Sequence, residues 1–244
     1  MRIERLNIDS AVFGGTVLAI QDFDSAQNFS AFEDEYCKLY DPKYVSCKIS
    51  LDQICDSHLL EKHQFHFIEC QMRASKKIRK AYDVSSFTQY SFDPIKDERD
   101  SANVLEIAKS TFSQDRFSKD RLLPSDISGK RYQSYVQQSL NSKNEAVYKL
   151  VDLRAGKTVA FKTHRLLPNN EALLLLGGVH SDCKNFGIGV VNSYFEINAL
   201  LAAGIRKVTT HFSAANHPIL NLEIGEMGYH VEATFAVFRK IYRV

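Results

Sequence analysis

The residues best placed to do chemistry lie in one stretch, Leu173-Leu-Leu-Leu-Gly177-Gly178-Val179-His-Ser-Asp-Cys183-Lys184-Asn185-Phe186-Gly187-Ile188-Gly189-Val-Val191. A continuous apolar run ends at Val179 in a polar loop, and a helical pattern starts on two glycines one residue apart. Such a junction makes an anion cradle, because unpaired N–H groups of the first helical turn face the loop and the missing Cβ atoms let a pyrophosphate approach. Glycines at a strand-to-helix junction also serve tight turning, and spacing alone leaves both readings open. Two nucleotide-binding patterns are absent: there is no G-x-x-x-x-G-K-[ST], and Asn192 stands where a third glycine would complete G-x-G-x-x-G. Antiparallel hairpin strands before the loop argue against a Rossmann unit as well. A second cluster, Cys55, His58, His63, His66 and Cys70, has two short Cys/His pairs but no further thiol pair at zinc-finger distance, so no metal is expected.

The elements that must hold this loop can be read from periodicity. Arg2 to Asp22, with Gly14-Gly15 in its middle, predicts a strand, a turn and a strand. A helix follows over Phe29 to Leu39, capped by Asn28 or Ser30, then a strand at Tyr44 to Ile49, a helix near Leu51 to Lys62 and a strand at Phe65 to Met72. Composition shifts to lysine, serine and aspartate from Arg73 to Asp100, which reads as a linker with one strand near Ser86 to Ser91. Helices are expected at Ala102 to Phe112 and Tyr132 to Leu140, flanking a polar loop. Strands at Ala146 to Asp152 and Thr158 to His164 form a hairpin around Gly156. Beyond the buried strand Glu171 to Val179, the pattern gives a helix at Gly187 to Ala203, a strand at Lys207 to Phe212, a short helix from about Pro218 and a long final strand.

Composition narrows the function. The 244 residues are 44 % apolar and 25 % charged, enough for a packed core. A net charge of +2 offers no electrostatic footprint for nucleic acid, and the longest apolar run, Ala172 to Leu176, is far short of the roughly 18 residues of a membrane span. Five cysteines without a C-x-x-C and an N-terminus without an apolar signal region predict a cytoplasmic protein.

The strand ending at Val179, the Lys184-x-x-Gly187-x-Gly189 loop, the helix, the strand to Phe212 and the downstream Asn216 together resemble the GNAT N-acetyltransferases. The resemblance implies an α/β (α+β) acyltransferase fold, with a mixed central sheet flanked by helices. It also implies acetyl-CoA as cofactor, its pyrophosphate held by backbone amides of Lys184, Asn185, Phe186, Gly187, Ile188 and Gly189. Lys184 stands where the family usually has Gln or Arg. Asp9-Ser-Ala-Val-Phe13-Gly14, Leu60 to Glu69, Phe112 to Phe117 and Ser128 to Tyr132 look like the dTDP-fucosamine acetyltransferase group, which acetylates the amine of a nucleotide-linked deoxysugar for surface polysaccharides. This likeness implies a truncated N-terminal α/β lobe (1–73), a linker (74–91), a catalytic domain (92–244) and a homodimer, for which the apolar strand at Phe235 to Val237 would be a plausible edge.

Roles carry over residue by residue. Glu69 is the expected base or water-positioning group for the ammonium proton, and a backbone N–H near Gly178 or Val179 the oxyanion donor. Asn216 is expected against the cofactor, or as a helix cap. Where the family has a tyrosine seven residues after this asparagine the chain has Glu223, so Glu223 and Tyr229 are the two candidates for protonating the leaving thiolate. Arg116 and Tyr132, with Phe117 beside them, are expected on the acceptor, since guanidinium fits a diphosphate and a ring stacks on a base or sugar. Two other readings stay open: acetylation of a different amine, such as a peptide N-terminus, and a CoA-binding module without turnover.

Overall fold

A computed structural model of the chain describes residues 1–112, 115–183 and 187–242. The elements run β1 (Arg2–Arg5), α1 (Asn7–Phe13), β2 (Val17–Gln21), α2 (Phe29–Tyr40), β3 (Tyr44–Ser50), α3 (Ile54–Lys62), β4 (His66–Lys77), β5 (Tyr90–Pro94), α4 (Glu98–Thr111), α5 (Arg116–Lys119), α6 (Ile127–Asn141), β6 (Glu145–Asp152), β7 (Lys157–Leu167), β8 (Glu171–Val179), α7 (Ile188–Ala202), β9 (Lys207–Ser213), α8 (His217–Leu220) and β10 (His230–Ile241). All ten strands join one sheet in the order β1-β2-β3-β10-β4-β9-β8-β7-β6-β5. Among the described residues only β2/β3 and β8/β9 pair in parallel.

Alternation along the strands sends side chains to two helical layers. On one face α2 and α3 bury Phe29, Tyr36 and Leu60 against Val45, Cys47, Ile49 and Phe238, and α7 buries Ile197 and Leu200 against Ala74, Ala172 and Val208. On the other face α4 and α6 pack Val104, Ile107 and Val136 on Val147 and Phe161, while α1, α5 and α6 cluster around Phe117 and Tyr44.

Three expectations change. Asn7–Phe13 is a helix, ended by Gly14 in the left-handed conformation (φ +62°), so the glycine pair closes a helix and does not turn a hairpin. The expected boundary at 73–74 falls inside β4, which continues to Lys77 without a break. The final strand is no edge: β10 lies between β3 and β4, with Phe235 opposite both Ser50 and Gln71. Pairing of two chains through Phe235 to Val237 is therefore ruled out by the strand's own neighbours.

Candidate active site

A cleft of about 740 Å³ opens where β8 and β9 part. Their parallel ladder runs from Glu171/Lys207 only to Leu174/Thr210, and beyond it both strands continue without pairing each other, to Val179 and Ser213. The break coincides with an irregularity on the other side of β8, where the register slips between Thr163/Leu176 and His164/Leu174 and leaves Leu175 as an extra residue. Thr163 repairs the ladder there, its hydroxyl accepting from the Leu176 N–H at 2.9 Å.

Beyond the slip, β8 stays paired with β7, and His180 N–H donates to the Val159 carbonyl. Antiparallel alternation then turns the Gly178 N–H toward β7 and the Val179 N–H toward the opening. Of the two expected oxyanion donors, Val179 is the one aimed into the cleft. Thr111 on α4 donates to the Val179 carbonyl at 3.0 Å and so tethers the peptide that follows this N–H.

At one end of the cleft stands the start of α7, with Gly187, Ile188 and Gly189 in the lining. Gly187 sits at φ +73°, a conformation that a side chain would strain, and a 15-residue helix follows it. Lys184, Asn185 and Phe186, expected to complete the cradle, lie outside the described residues. Asn216 lines the same end and also caps α8 by accepting from Ile219 N–H, so its two expected positions coincide. Glu223, on the single π-helical turn Asn221–Glu226 that follows α8, lines the cleft as well. Burial pushes its carboxyl above the usual carboxylate value, and the Glu196 charge adds to this while Lys162 opposes it. Tyr229 is different: it is buried beside Met227 in the apolar cluster and is not part of the cleft wall, so of the two candidates only Glu223 lines the cleft.

The opposite end carries Glu69, Arg116, Phe117 and Tyr132. Two residues expected to act separately are joined, since Arg116 Nη1 donates to Glu69 Oε1 at 2.6 Å. Tyr132 stacks on Phe112 with ring centroids 3.8 Å apart. Behind them Arg131 bonds the buried Asp9 at 2.7 Å and lies over the rings of Phe117 and Tyr135. Ser128 holds Asp115 at 2.6 Å, and Asp115 caps α5. Segments far apart in sequence, around Asp9, Phe117 and Tyr132, thus meet on one wall.

The lining residues that escaped the sequence reading include an ionic group, Lys162 on β7 with Asn192, Ser193 and Glu196 on α7. Lys162 Nζ lies 3.0 Å from Ser193 Oγ and 3.2 Å from Glu196 Oε2. The visible trace was a carboxylate and an amide four residues apart on a helix otherwise rich in apolar residues. Among the described residues no three His, Cys, Asp or Glu side chains gather as a metal site; His63 instead faces Glu33 at 3.1 Å. No helix among them is long and apolar enough to cross a membrane.

No protein-family model matches this chain, and no curated protein is similar to it at a meaningful level. Solved structures do match. A GCN5-related N-acetyltransferase from Sphaerobacter thermophilus superposes with a TM-score of 0.69 at 13 % identity, over 99 % of this chain and 76 % of that one. The chain has the GNAT fold. A tandem GNAT protein from the clavulanic acid biosynthesis pathway gives 0.63 at 11 % identity over 93 % and 76 %. The GCN5-related glucosamine N-acetyltransferase region of a fungal multi-domain GH3 β-N-acetylglucosaminidase gives 0.68 at 9 % identity, covering 98 % of this chain and 31 % of that one.

Proposed function

We propose that the chain is an acetyl-CoA-dependent N-acetyltransferase whose acceptor is the primary amine of a nucleotide-linked, dTDP-type amino-deoxysugar used in surface polysaccharide synthesis in the cytoplasm. The observation that carries this is a single cleft joining the glycine-opened start of α7 to the Glu69–Arg116–Tyr132 wall through the gap between β8 and β9. The residues present suit acetyl-CoA: a Cβ at Gly189 would meet nothing within 4 Å, so backbone there is approachable, and the helix start favours anionic phosphate. When bound, acetyl-CoA supplies an acyl group already activated as a thioester.

The chain's own residues then divide the work. Gly187, Ile188 and Gly189 would bind phosphate through backbone N–H groups, with Lys184, Asn185 and Phe186 proposed as their continuation, and Asn216 would flank the cofactor. Val179 N–H, which faces the cleft, would donate to the acyl oxygen as it gains charge, a type of donor whose loss elsewhere lowers turnover about 10²–10³-fold. Glu69 takes the ammonium proton, directly or through water, and Arg116 fixes its carboxylate. Phe117 and Tyr132 offer an aromatic surface for a sugar or base. The likeness to a structure described as a glucosamine N-acetyltransferase region supports an amino-sugar acceptor. If the protein dimerises as proposed, the sheet edges available are β1 and β5.

Thiol release from acetyl-CoA across a panel of dTDP- and UDP-aminosugars, free aminosugars and peptide N-termini tests the reading. Turnover with a dTDP-aminosugar is expected; turnover only with peptides, or binding without turnover, would replace it.

A further inference from the structure

On the α7 side of the cleft, the floor is ionic where the rest of the helix's inward face is apolar. Glu196 is 1 % exposed and Glu223 5 %, and both line the cleft with Lys162 and Asn192. Among the described residues, both Glu196 oxygens, Glu223 Oε2 and Asn192 Oδ1 are buried without a hydrogen bond. The 3.2 Å contact of Lys162 with Glu196 is therefore an ion pair that lacks hydrogen-bond alignment. Leaving buried carboxylates this loosely satisfied is destabilising, and well-packed apolar residues would serve a purely structural role better. Val191, Ile197 and Leu200 show that α7 uses such residues elsewhere.

Two carboxylates here share one nearby ammonium. Lys162 reaches them because β8 has a glycine opposite it: a Cβ on Gly177 would come within 2.8 Å of Lys162 Cδ. We propose that Lys162 and Glu196 are positioning residues for Glu223, the ion pair occupying the lysine so that Glu223 keeps a proton facing the cleft for delivery to the departing sulfur. The proposal rests on the acetyltransferase reading above. In the step concerned, the amine nitrogen bonds to the acyl carbon as the C–S bond breaks, the sulfur takes the Glu223 proton, the amine's proton leaves through Glu69 or water, and Glu223 regains a proton from solvent. The groups around Glu223 are Lys162 of β7, Glu196 of α7, Lys76 of β4, and Tyr229 just before β10, and behind them His164 of β7 faces Glu196 at 3.5 Å. Lys76 is engaged with the Met227 carbonyl and the Tyr82 hydroxyl. Burial weighs against a charged Lys162, but Glu196 and then Glu223 outweigh it and hold the ammonium.

The test is carboxyl ¹³C NMR of the full chain labelled at glutamate, titrated without ligand, with Glu223→Gln assigning the signal. Glu223 is expected to titrate above the usual carboxylate range. Glu196→Gln, which turns Lys162 onto Glu223, should move that midpoint down by about one pH unit or more, and the basic limb of acetyl transfer with it. Gly177→Ala displaces Lys162 without deleting a charge and should move the midpoint the other way. A midpoint in the ordinary range, or one that moves in neither folded variant, overturns the proposal; should Glu196→Gln not fold, Gly177→Ala decides alone. Because the titration needs no cofactor, its failure is distinct from failure of acetyl-CoA to bind.

Discussion

Glu69 is the residue on which the acceptor half of the mechanism turns, and its pairing with Arg116 separates two effects. Glu69→Gln keeps the side chain's size and removes its charge, so turnover is expected to fall about 10²–10⁴-fold while acetyl-CoA affinity, set at the other end of the cleft, stays the same. Parallel kinetics and calorimetry check this. His211 gives a pH effect of its own. Burial, and then Lys48 and Arg73, push its imidazole down to about 4. The folded chain resists a proton that the unfolded chain takes up below about 6.5, so stability is lost as pH falls from there toward 4. His211→Gln should remove about 1–2 kcal/mol of that loss once solvent screening is allowed for, read from urea unfolding at pH 7 and pH 4.5. Glu223 runs in the opposite direction: its raised carboxyl disfavours the fold at high pH, so Glu223→Gln should raise Tm at pH 8, leave it unchanged at pH 4, and slow thiol release. The sequence displayed Glu69, Arg116 and Tyr132 because each falls in a short matching motif, and Glu223 because it stands where the resembling family has a tyrosine. Lys162 was not legible, since a lone lysine in the alternating run Thr158 to His164 reads as a solvent-facing position until α7 is laid across it.

The elements at the site work through their ends and irregularities. Gly187→Val forces a β-branched residue to φ +73° at the start of α7, expected to lower stability by about 1–3 kcal/mol and to abolish stabilisation by acetyl-CoA. Gly225→Ala is a useful control, because nothing lies within 4 Å of its would-be Cβ and its φ is not positive. Most strands and long helices were readable from periodicity, with β8 and α7 within a residue of expectation. What periodicity missed is short or irregular. Asn7–Phe13 has only two turns, too few for a helix to hold alone, and is fixed by Asp9 bonding Arg131 on α6. The slip at Leu175 leaves no mark in a run of four leucines.

At the scale of the whole molecule, the last strand binds the first half of the chain to the second. β10 pairs with β3 from Phe235 to Ile241 and with β4 from His230 to Arg239, and Arg239 forms a two-bond contact with Asp120 beside α5. The apolar stretch Phe235 to Val237 was expected at a sheet edge, and only the closed sheet shows that neighbours flank it on both sides. A second tie crosses the other face, where Asp9 of α1 bonds Arg131 and Tyr135 of α6. Asp9→Asn leaves the Arg131 guanidinium buried without its counter-charge and is expected to destabilise the chain by about 3 kcal/mol, in one cooperative unfolding transition; two separate transitions would show that the halves fold independently. The most direct test of the whole account is calorimetric titration of the intact chain with acetyl-CoA, repeated on Gly187→Val. One site per chain is expected in the wild type, with binding lost in a variant that remains folded. No binding by the wild type, or equal binding by both, would contradict the assignment of the β8–α7 cleft as the acyl-donor site.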